Sequence, residues 1–311
     1  MATGSTLITG LAMTSTPTFA VVAREDGQAA DIESAQQVTL WYRNYDSPAI
    51  RALLDLALRK TPEYGPYLIT RSQEMNQGRA LRELSNDNGH AVQVANVATT
   101  PERENNLLAV TIPIDGGLLG YRVCVTTPQM LSRFEGITRL ADLRAGNIRF
   151  GQGRHWPDTQ ILEANGLKVV THTRYESLFD MLAGGRFECF ARGVSEVVYD
   201  LDLRQDDGLV IEPDLLFTYP MPSYFFVGRS DMALAMRIQL GLERAIVDGS
   251  FLKYLAHYFT RPLEELQLSN RRVFQLGNPW LPGGEKGISE DVLQHMKVRI
   301  QLGDKAPPVP N

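Results

Sequence analysis

VANVATTPERENNLLAVTIPI, residues 94–114, opens and closes as buried strand and carries Thr99-Thr100-Pro101-Glu102-Arg103 between its two apolar runs. A strand that merely turned back would use Gly, Asn or Asp, which reach turn geometry through backbone freedom or through side-chain bonds to their own backbone. Two hydroxyls, a proline and an arginine in that place predict a segment that presents a cation just past a strand end. The plainer alternative for Arg103 is a surface ion pair with Glu102 or Glu104, a contact worth little. Asn96, close to the same strand end, is a second polar candidate.

Outward from this segment, strands and helices alternate. VTLWY (38–42) reads as strand, and Ser47-Pro48 fit an N-cap and first helical residue ahead of Ile50, Leu53, Leu54, Ala57 and Leu58 at one-face helical spacing. YLIT (67–70), a short helix near QGRALREL (77–84) and the continuous apolar run AVQVANVA (91–98) follow, as in a mainly parallel sheet covered on both faces. After IPIDGGLLGYRVCVT the alternation restarts with NIRFG (147–151), a helix from about Pro157 to Ala164, KVVT (168–171), a helix near ESLFDMLAGG (176–185), FECFA (187–191) and LVIE (209–212). YFFVG (224–228) leads into a long helix capped by Asp231 and ended by Asp248-Gly249. A helix carrying Phe251, Leu252, Leu255 and Phe259 comes next, and Ser289 starts a last one.

At 311 residues the chain exceeds one ordinary hydrophobic core, so two domains are expected. With 43% hydrophobic residues, 22% charged residues and a net charge of -5, it lacks the positive excess that a phosphate backbone demands, and no nucleic-acid partner is expected. No run reaches the roughly 18 apolar residues of a membrane span. Residues 1–37 are small, polar and poor in large apolar side chains. LITGLAM followed by Thr18-Phe19-Ala20 has the outline of an export signal cleaved near Val21, without a positive n-region, and a disordered tail is the alternative. Residues 301–311 read as a loose C-terminal tail. Cys124 and Cys189 sit in apolar runs. One disulfide is open to them in an oxidising compartment, but two small buried thiols are the preferred reading. CxxC and HExxH spacings are absent, so neither a metal nor a cofactor is expected.

Over residues 38–262 the chain resembles the periplasmic solute-binding proteins of ABC transporters, family 3, the polar amino-acid-binding type. TTPER followed by VTIPI resembles the family's Thr-x-Thr-Pro-Glu-Arg turn and strand into the hinge, with Ala98 where the first threonine would stand. LADLRAGNIRFGQG, YESLFDMLAGGRFECF, PSYFFVGRSDMAL and IVDGSFLKYLAHYF resemble later family segments in the same order. GLLGYR and GQGRHWPDTQILEANGLKVV are closer to a poorly characterised bacterial branch. The resemblance implies an α/β protein of periplasmic binding protein-like type II, two α/β lobes joined by a two-strand hinge. Lobe 1 is expected over 38–121 plus 225–300 and lobe 2 over 122–224.

The resemblance also implies that Arg103 grips a ligand carboxylate. From lobe 2, GQGRHWPDT joins strand to helix. Its glycines admit close backbone approach, and the helix start near Asp158 and Thr159 carries partial positive charge, which makes Arg154, His155 and Trp156 candidates. Trp156 either stacks on a ligand or packs, and Asp158 reads as the helix N-cap. Amino-acid binders place an acid after the next strand to hold the ammonium, where this chain has Arg192. Arg192 pairs with Glu196 four residues on, or Glu196 itself takes the ammonium. Near the first strand end Tyr42, Tyr45 and Asp46 offer aromatic walls or rim packing, and Gln77 and Arg79 face the same rim.

Three functions fit. The first is a monomeric, non-enzymatic periplasmic binding protein that takes a small anionic or zwitterionic solute and serves an ABC permease in amino-acid transport. The second is a ligand sensor reporting to a membrane partner. The third is a dehydratase-like enzyme, for which His155 and Glu196 are the only acid–base pair on offer. Convergence of Arg103 with Arg154 or Arg192, with Glu196 as sole counterweight, would favour an anionic ligand.

Overall fold

The structure, a computed structural model, describes residues 35–86 and 91–281. The export-signal expectation for residues 1–34, the helix expected from Ser289 and the tail expected over 301–311 lie outside the described residues. Five strands form the first sheet: β1 (Gln36–Leu40), β2 (Tyr67–Arg71), β3 (Val94–Ala98), β4 (Leu108–Val110) and β11 (Ser223–Val227), in the order β2-β1-β3-β11-β4. β1 runs parallel to β2 and β3, while β11 is antiparallel to β3 and β4. Gln36 and Gln37, expected in the tail, open β1.

Four helices belong to the first passage through this lobe: α1 (Tyr42–Asp46), α2 (Pro48–Arg59), α3 (Gln77–Ser85) and α4 (Pro101–Asn106). The strand expected through Tyr42 ends at Leu40, because Trp41 caps a helix and Tyr42–Asp46 coil into α1. Ser47 caps α2 by accepting from the Ile50 N–H, with Pro48 at the first position, and Leu53, Leu54, Ala57 and Leu58 turn to the core. TTPER is itself a helix start. Thr100 caps α4 by accepting from the Arg103 N–H at 3.2 Å, and Pro101 takes the first helical position.

The second sheet has seven strands: β5 (Tyr121–Thr126), β6 (Arg149–Gly153), β7 (Lys168–His172), β8 (Cys189–Gly193), β9 (Val210–Ile211), β10 (Leu215–Thr218) and β12 (Arg272–Gln275). Its order is β12-β10-β5-β8-β6-β7, with β9 also on β5. Helices α5 (Leu140–Ala145), α6 (Pro157–Ala164), α7 (Glu176–Ala183) and α8 (Val197–Asp202) accompany it, and α9 (Met232–Val247) and α10 (Ser250–Leu266) follow β11. Phe150, Phe187, Phe190 and Phe217 in this lobe, and Phe225 and Phe226 in the first, are fully buried. Each contributes about 1.5–3 kcal/mol over an exposed ring.

The chain passes from the first sheet to the second between β4 and β5 and returns between β10 and β11. β5 and β10 run antiparallel, pairing Phe217 with Arg122 and Thr218 with Tyr121. The Tyr219 N–H donates to the Gly120 carbonyl at 3.0 Å, and a Cβ on Gly120 would come within 2.5 Å of the Tyr219 carbonyl, so the two crossings approach too closely for any larger residue there. One boundary departs from expectation. Residues 272–275, assigned to the first lobe by sequence, add β12 in parallel to β10 at the edge of the second sheet. Phe274 and Leu276 are buried, Phe274 packs on Phe217, the Asn165 side-chain amide donates to the Gly277 carbonyl at 2.8 Å, and the Asn278 side-chain amide donates to the Pro220 carbonyl at 2.7 Å. Those apolar side chains find their cover in the second lobe, a pairing that local pattern does not encode.

Cys124 on β5 and Cys189 on β8 form a disulfide, with Cα atoms 4.9 Å apart, where two buried thiols were the preferred reading. Neighbouring antiparallel strands bring them within bridging range, and the 65 residues between them in sequence concealed it. Among the described residues no helix is long and apolar enough to cross a membrane.

Candidate functional site

The C-terminal ends of β1, β3, β6 and β8 border one cavity of about 910 Å³ between the lobes. Ligands settle outside the carboxyl ends of strands in α/β sheets because loops, free backbone groups and helix starts converge there. Residues 41–44, Asn96 and Ala98 line it from the first lobe, and Trp156, Asp158, Tyr175, Arg192, Glu196 and Asp200 from the second. Asp115 and Arg122 line it from the first crossing and the strand it enters, and Tyr254 from α10.

Three guanidinium groups define its electrostatics. Arg192, 3% exposed, donates through Nε and Nη2 to Asp200 at 2.9 and 2.7 Å, and its Nη2 lies 3.1 Å from Glu196. Burial works against its charge, but Asp200 and Glu196 outweigh that and hold it well above the ordinary value. Trp156, Tyr175 and Phe190 surround it, with ring centroids 5.1–5.4 Å away. Arg122, also 3% exposed, pairs with Asp158 at 2.8 Å, donates from Nε to the Tyr219 hydroxyl at 3.2 Å and lies 3.7 Å from Glu196. The Tyr219 hydroxyl in turn donates to Asp158 at 2.5 Å. Arg43, reaching over from α1, lays its guanidinium 3.4 Å from the centroid of the Tyr175 ring and makes no ion pair among the described residues. Tyr175 therefore has a guanidinium from each lobe against its ring.

Asp115 belongs to the first crossing and is 4% exposed. It accepts from the Gly117 N–H and the Ser195 hydroxyl, each at 3.1 Å, and no cation lies within ion-pair distance among the described residues. Burial pushes its carboxyl up to about 6, with Glu196 adding to the rise and the Gly117 and Ser195 bonds opposing it.

Of the residues proposed from sequence, Tyr42, Asn96, Trp156, Arg192 and Glu196 line this cavity. Tyr42 packs edge-on against Trp41, and Trp156 stacks over Phe190. Asn96 is held by Asn44, whose Oδ1 accepts from the Asn96 N–H at 2.7 Å. Arg103, Arg154, His155 and Tyr45 do not line it. Arg103 folds back from α4 to donate to the Ala98 carbonyl, to Gln77 Oε1 at 2.8 Å and to the His155 carbonyl at 2.8 Å. It is 8% exposed with no carboxylate at ion-pair distance among the described residues, and burial pushes it down to about 10. The surface pair with Glu102 or Glu104 does not form, and Glu104 instead accepts from Thr99.

Arg154 is exposed, and only its backbone N–H is tied, to the His172 carbonyl. His155 is also exposed. Its ring lies where a Cβ on Gly78 would sit 3.0 Å away, so it packs on the start of α3, and burial together with Arg82, Arg154 and Arg103 lowers its pKa. His155 and Glu196 consequently do not share one cavity wall as an acid–base pair. Tyr45 faces a separate open groove of about 500 Å³ with Arg51, Tyr67 and Tyr258. Gln77 lines the cavity, whereas Arg79 is exposed and pairs with Glu83. Asp158 is not the N-cap of α6, since Trp156 holds that place. The expected convergence does not form: of its arginines only Arg192 lines the cavity, and it is paired with Asp200 as well as Glu196, so Glu196 is not the sole counterweight.

Sequence reading missed Arg43, Arg122, Asp115, Tyr175, Asp200 and Tyr254. Arg122 left a signal, a charge inside the apolar run YRVCVT, and so did Asp115, an acid inside the apolar IPIDGG. Arg43, Tyr175 and Asp200 look like ordinary helix-face residues until the lobes are assembled.

Solved structures with this fold include an ancestral arginine-binding protein bound to arginine, 15% identical, with a TM-score of 0.52 over 72% of this chain and 98% of that one. The arginine-specific periplasmic binding protein of Salmonella typhimurium is 16% identical, with a TM-score of 0.53 over 73% and 100% of the two chains. An ancestral amino-acid-binding protein described as a precursor of cyclohexadienyl dehydratase is 14% identical, with a TM-score of 0.54 over 75% and 100%. At these identities the likeness defines the fold. The chain is an α/β protein of the type II periplasmic-binding-protein fold. No family model and no curated protein matches it.

Proposed function

We propose that this chain is an extracytoplasmic solute-binding protein that closes two lobes on one small carboxylate-bearing solute and delivers it to an ABC-type permease. The observation that carries the reading is the cavity shared by the strand ends of both lobes, with Arg43 from one and Arg192 from the other set against the same Tyr175 ring. A carboxylate taken between them would make contacts from both lobes only when the cleft is shut, which is how a ligand shifts an open–closed equilibrium. Arg192 is held in place by Asp200 and Glu196, and Arg43 has no carboxylate of its own among the described residues, so a ligand anion would supply one. The Cys124–Cys189 bridge supports an oxidising compartment such as the periplasm. The solved structures of like fold named above are described as binding proteins, which supports binding over turnover.

A thermal-shift screen of the purified chain against amino acids, dicarboxylates, 2-oxo acids and sugars tests this. A saturable rise in melting temperature with a carboxylate-bearing compound, recovered unchanged after incubation, is expected. Stabilisation by sugars alone, by no compound, or with conversion of the added acid to product would overturn it.

A further inference from the structure

Helix α10 packs on α9 and α2 of the first lobe, and after it the chain crosses to the second sheet once more, into β12. Its interior holds a buried proline, Pro262. A proline has no N–H for the carbonyl four residues back, so the helix ladder omits a bond to Tyr258, and an interior proline is the costliest of helix residues. The other lobe takes up that carbonyl: the Tyr199 hydroxyl on α8 donates to it at 2.9 Å. Three residues on in α8, Asp202 accepts from Arg261 Nη1 at 2.6 Å and from Nη2 at 3.0 Å, while Glu265 holds the same guanidinium from within α10 through Nε at 2.7 Å. The guanidinium also lies 5.8 Å from the centroid of the Tyr199 ring. Tyr199, Tyr258 and Arg261 line the cavity between the lobes, so these contacts cross the cleft and would be lost when the lobes part.

We infer that Pro262 makes a notch in α10 in which α8 seats, and that this seat is a latch holding the lobes together whatever the solute. The proline gives up a bond inside one lobe, and its carbonyl gains one from the other lobe. An exposed ion pair alone holds little, but a bidentate arginine–carboxylate pair fixed by a second acid has defined geometry, and it lies one helical turn from the hydroxyl–carbonyl bond. Asp200, between Tyr199 and Asp202 in α8, is the residue that grips Arg192. Seating α8 on α10 therefore also sets the Arg192 guanidinium against Tyr175. A latch of this kind fills the closed state before any solute arrives and raises the affinity of every solute by one factor.

The inference rests on the reading of two lobes that open and close, and on no particular solute. It is tested on the solute-free chain, so its failure leaves the binding of a carboxylate-bearing solute to be decided by the screen. Nitroxide labels are placed on Glu163→Cys of α6 and Glu243→Cys of α9, exposed positions of the second and first lobes, and pulsed electron resonance reads the distances between them. Cys124 and Cys189 are bridged and take no label. The labelled protein should show a population at the distance of the present arrangement beside a longer one. Tyr199→Phe removes one hydrogen bond and should lower the short-to-long ratio by about 2- to 10-fold. Asp202→Asn should lower it less, by a factor that shrinks in high salt. Pro262→Ala returns an N–H to the Tyr258 carbonyl and should lower the ratio as Tyr199→Phe does, and combining the two should lower it little further. A ratio unchanged by Tyr199→Phe or by Pro262→Ala, fully additive effects of the two, or no short-distance population without substitution at the latch would overturn it.

Discussion

Replacing Arg103 by alanine is expected to loosen the closed arrangement without removing a ligand contact. Its bonds to the Ala98 carbonyl and to Gln77 lie inside the first lobe and persist when the cleft opens, so they cancel from the open–closed balance. The 2.8 Å bond to the His155 carbonyl spans the lobes, so it would be lost when they part. A hydrogen bond from a charged donor is worth about 1.5–3 kcal/mol, so a solute that binds the closed form should lose affinity by roughly 10- to 150-fold. A guanidinium that gripped the solute directly would cost more, about 3–5 kcal/mol for a desolvated pair, and would do so only for ligands with a free carboxylate. Calorimetric titration of wild type and Arg103→Ala with a binding amino acid and with its carboxamide separates the cases. An interlobe latch weakens both ligands by one common factor. A loss confined to the acid, or no loss for either, would refute the reasoning.

Arg122→Met leaves Asp158 buried with only Tyr219 as partner among the described residues, and should lower unfolding free energy in urea by about 3–5 kcal/mol. The double variant with Asp158→Leu should recover most of that, and a double variant as unstable as the single one would show that the pair is not the cause. Cys124→Ala with Cys189→Ala should cost about 4 kcal/mol, as expected for a bridge closing 65 residues, and identical melting with and without reductant would contradict the bridge. Burial holds the Asp115 carboxyl up at about 6, above its ordinary 3.8, so the folded chain binds a proton there that the unfolded chain has released. Its contribution to ligand-free stability therefore rises as pH falls from about 6 towards 4 and is lost above that window. The groups facing it are Glu196, Ser195, Tyr254 and the N–H groups of Gly117 and Leu119. Asp115→Asn should flatten this part of the stability–pH curve, and an unaltered slope would show that another group titrates.

The fold was legible because local signals agreed with one another. Ser47-Pro48 does cap a helix, AVQVANVA does supply a central strand, and the apolar runs on either side of GGLLG and TYPMP do leave one sheet and enter the other. The segments that misled are those whose partners are distant in sequence. Phe274 and Leu276 look unattached until β10 is beside them, and Cys124 and Cys189 look like two core thiols until β5 and β8 pair. The site was only half legible for the same reason. Trp156, Arg192 and Glu196 stand next to strand ends that the pattern marks. Arg43 meets Tyr175 only across the cleft. TTPER illustrates the difference between a local reading and a global one. Its threonine and proline start a short helix, and the side chain of Arg103 then falls back along the strand end instead of into the cavity.

A crystal structure of the protein with the tightest-binding compound of the screen is the most direct test of a cleft that closes on a small carboxylate-bearing solute. The predicted result is density in the cavity between the lobes, with the ligand carboxylate within hydrogen-bond distance of both Arg43 and Arg192. A ligand seated in the outer groove beside Tyr45, or a carboxylate held by Arg103 with Arg43 turned to solvent, would contradict it.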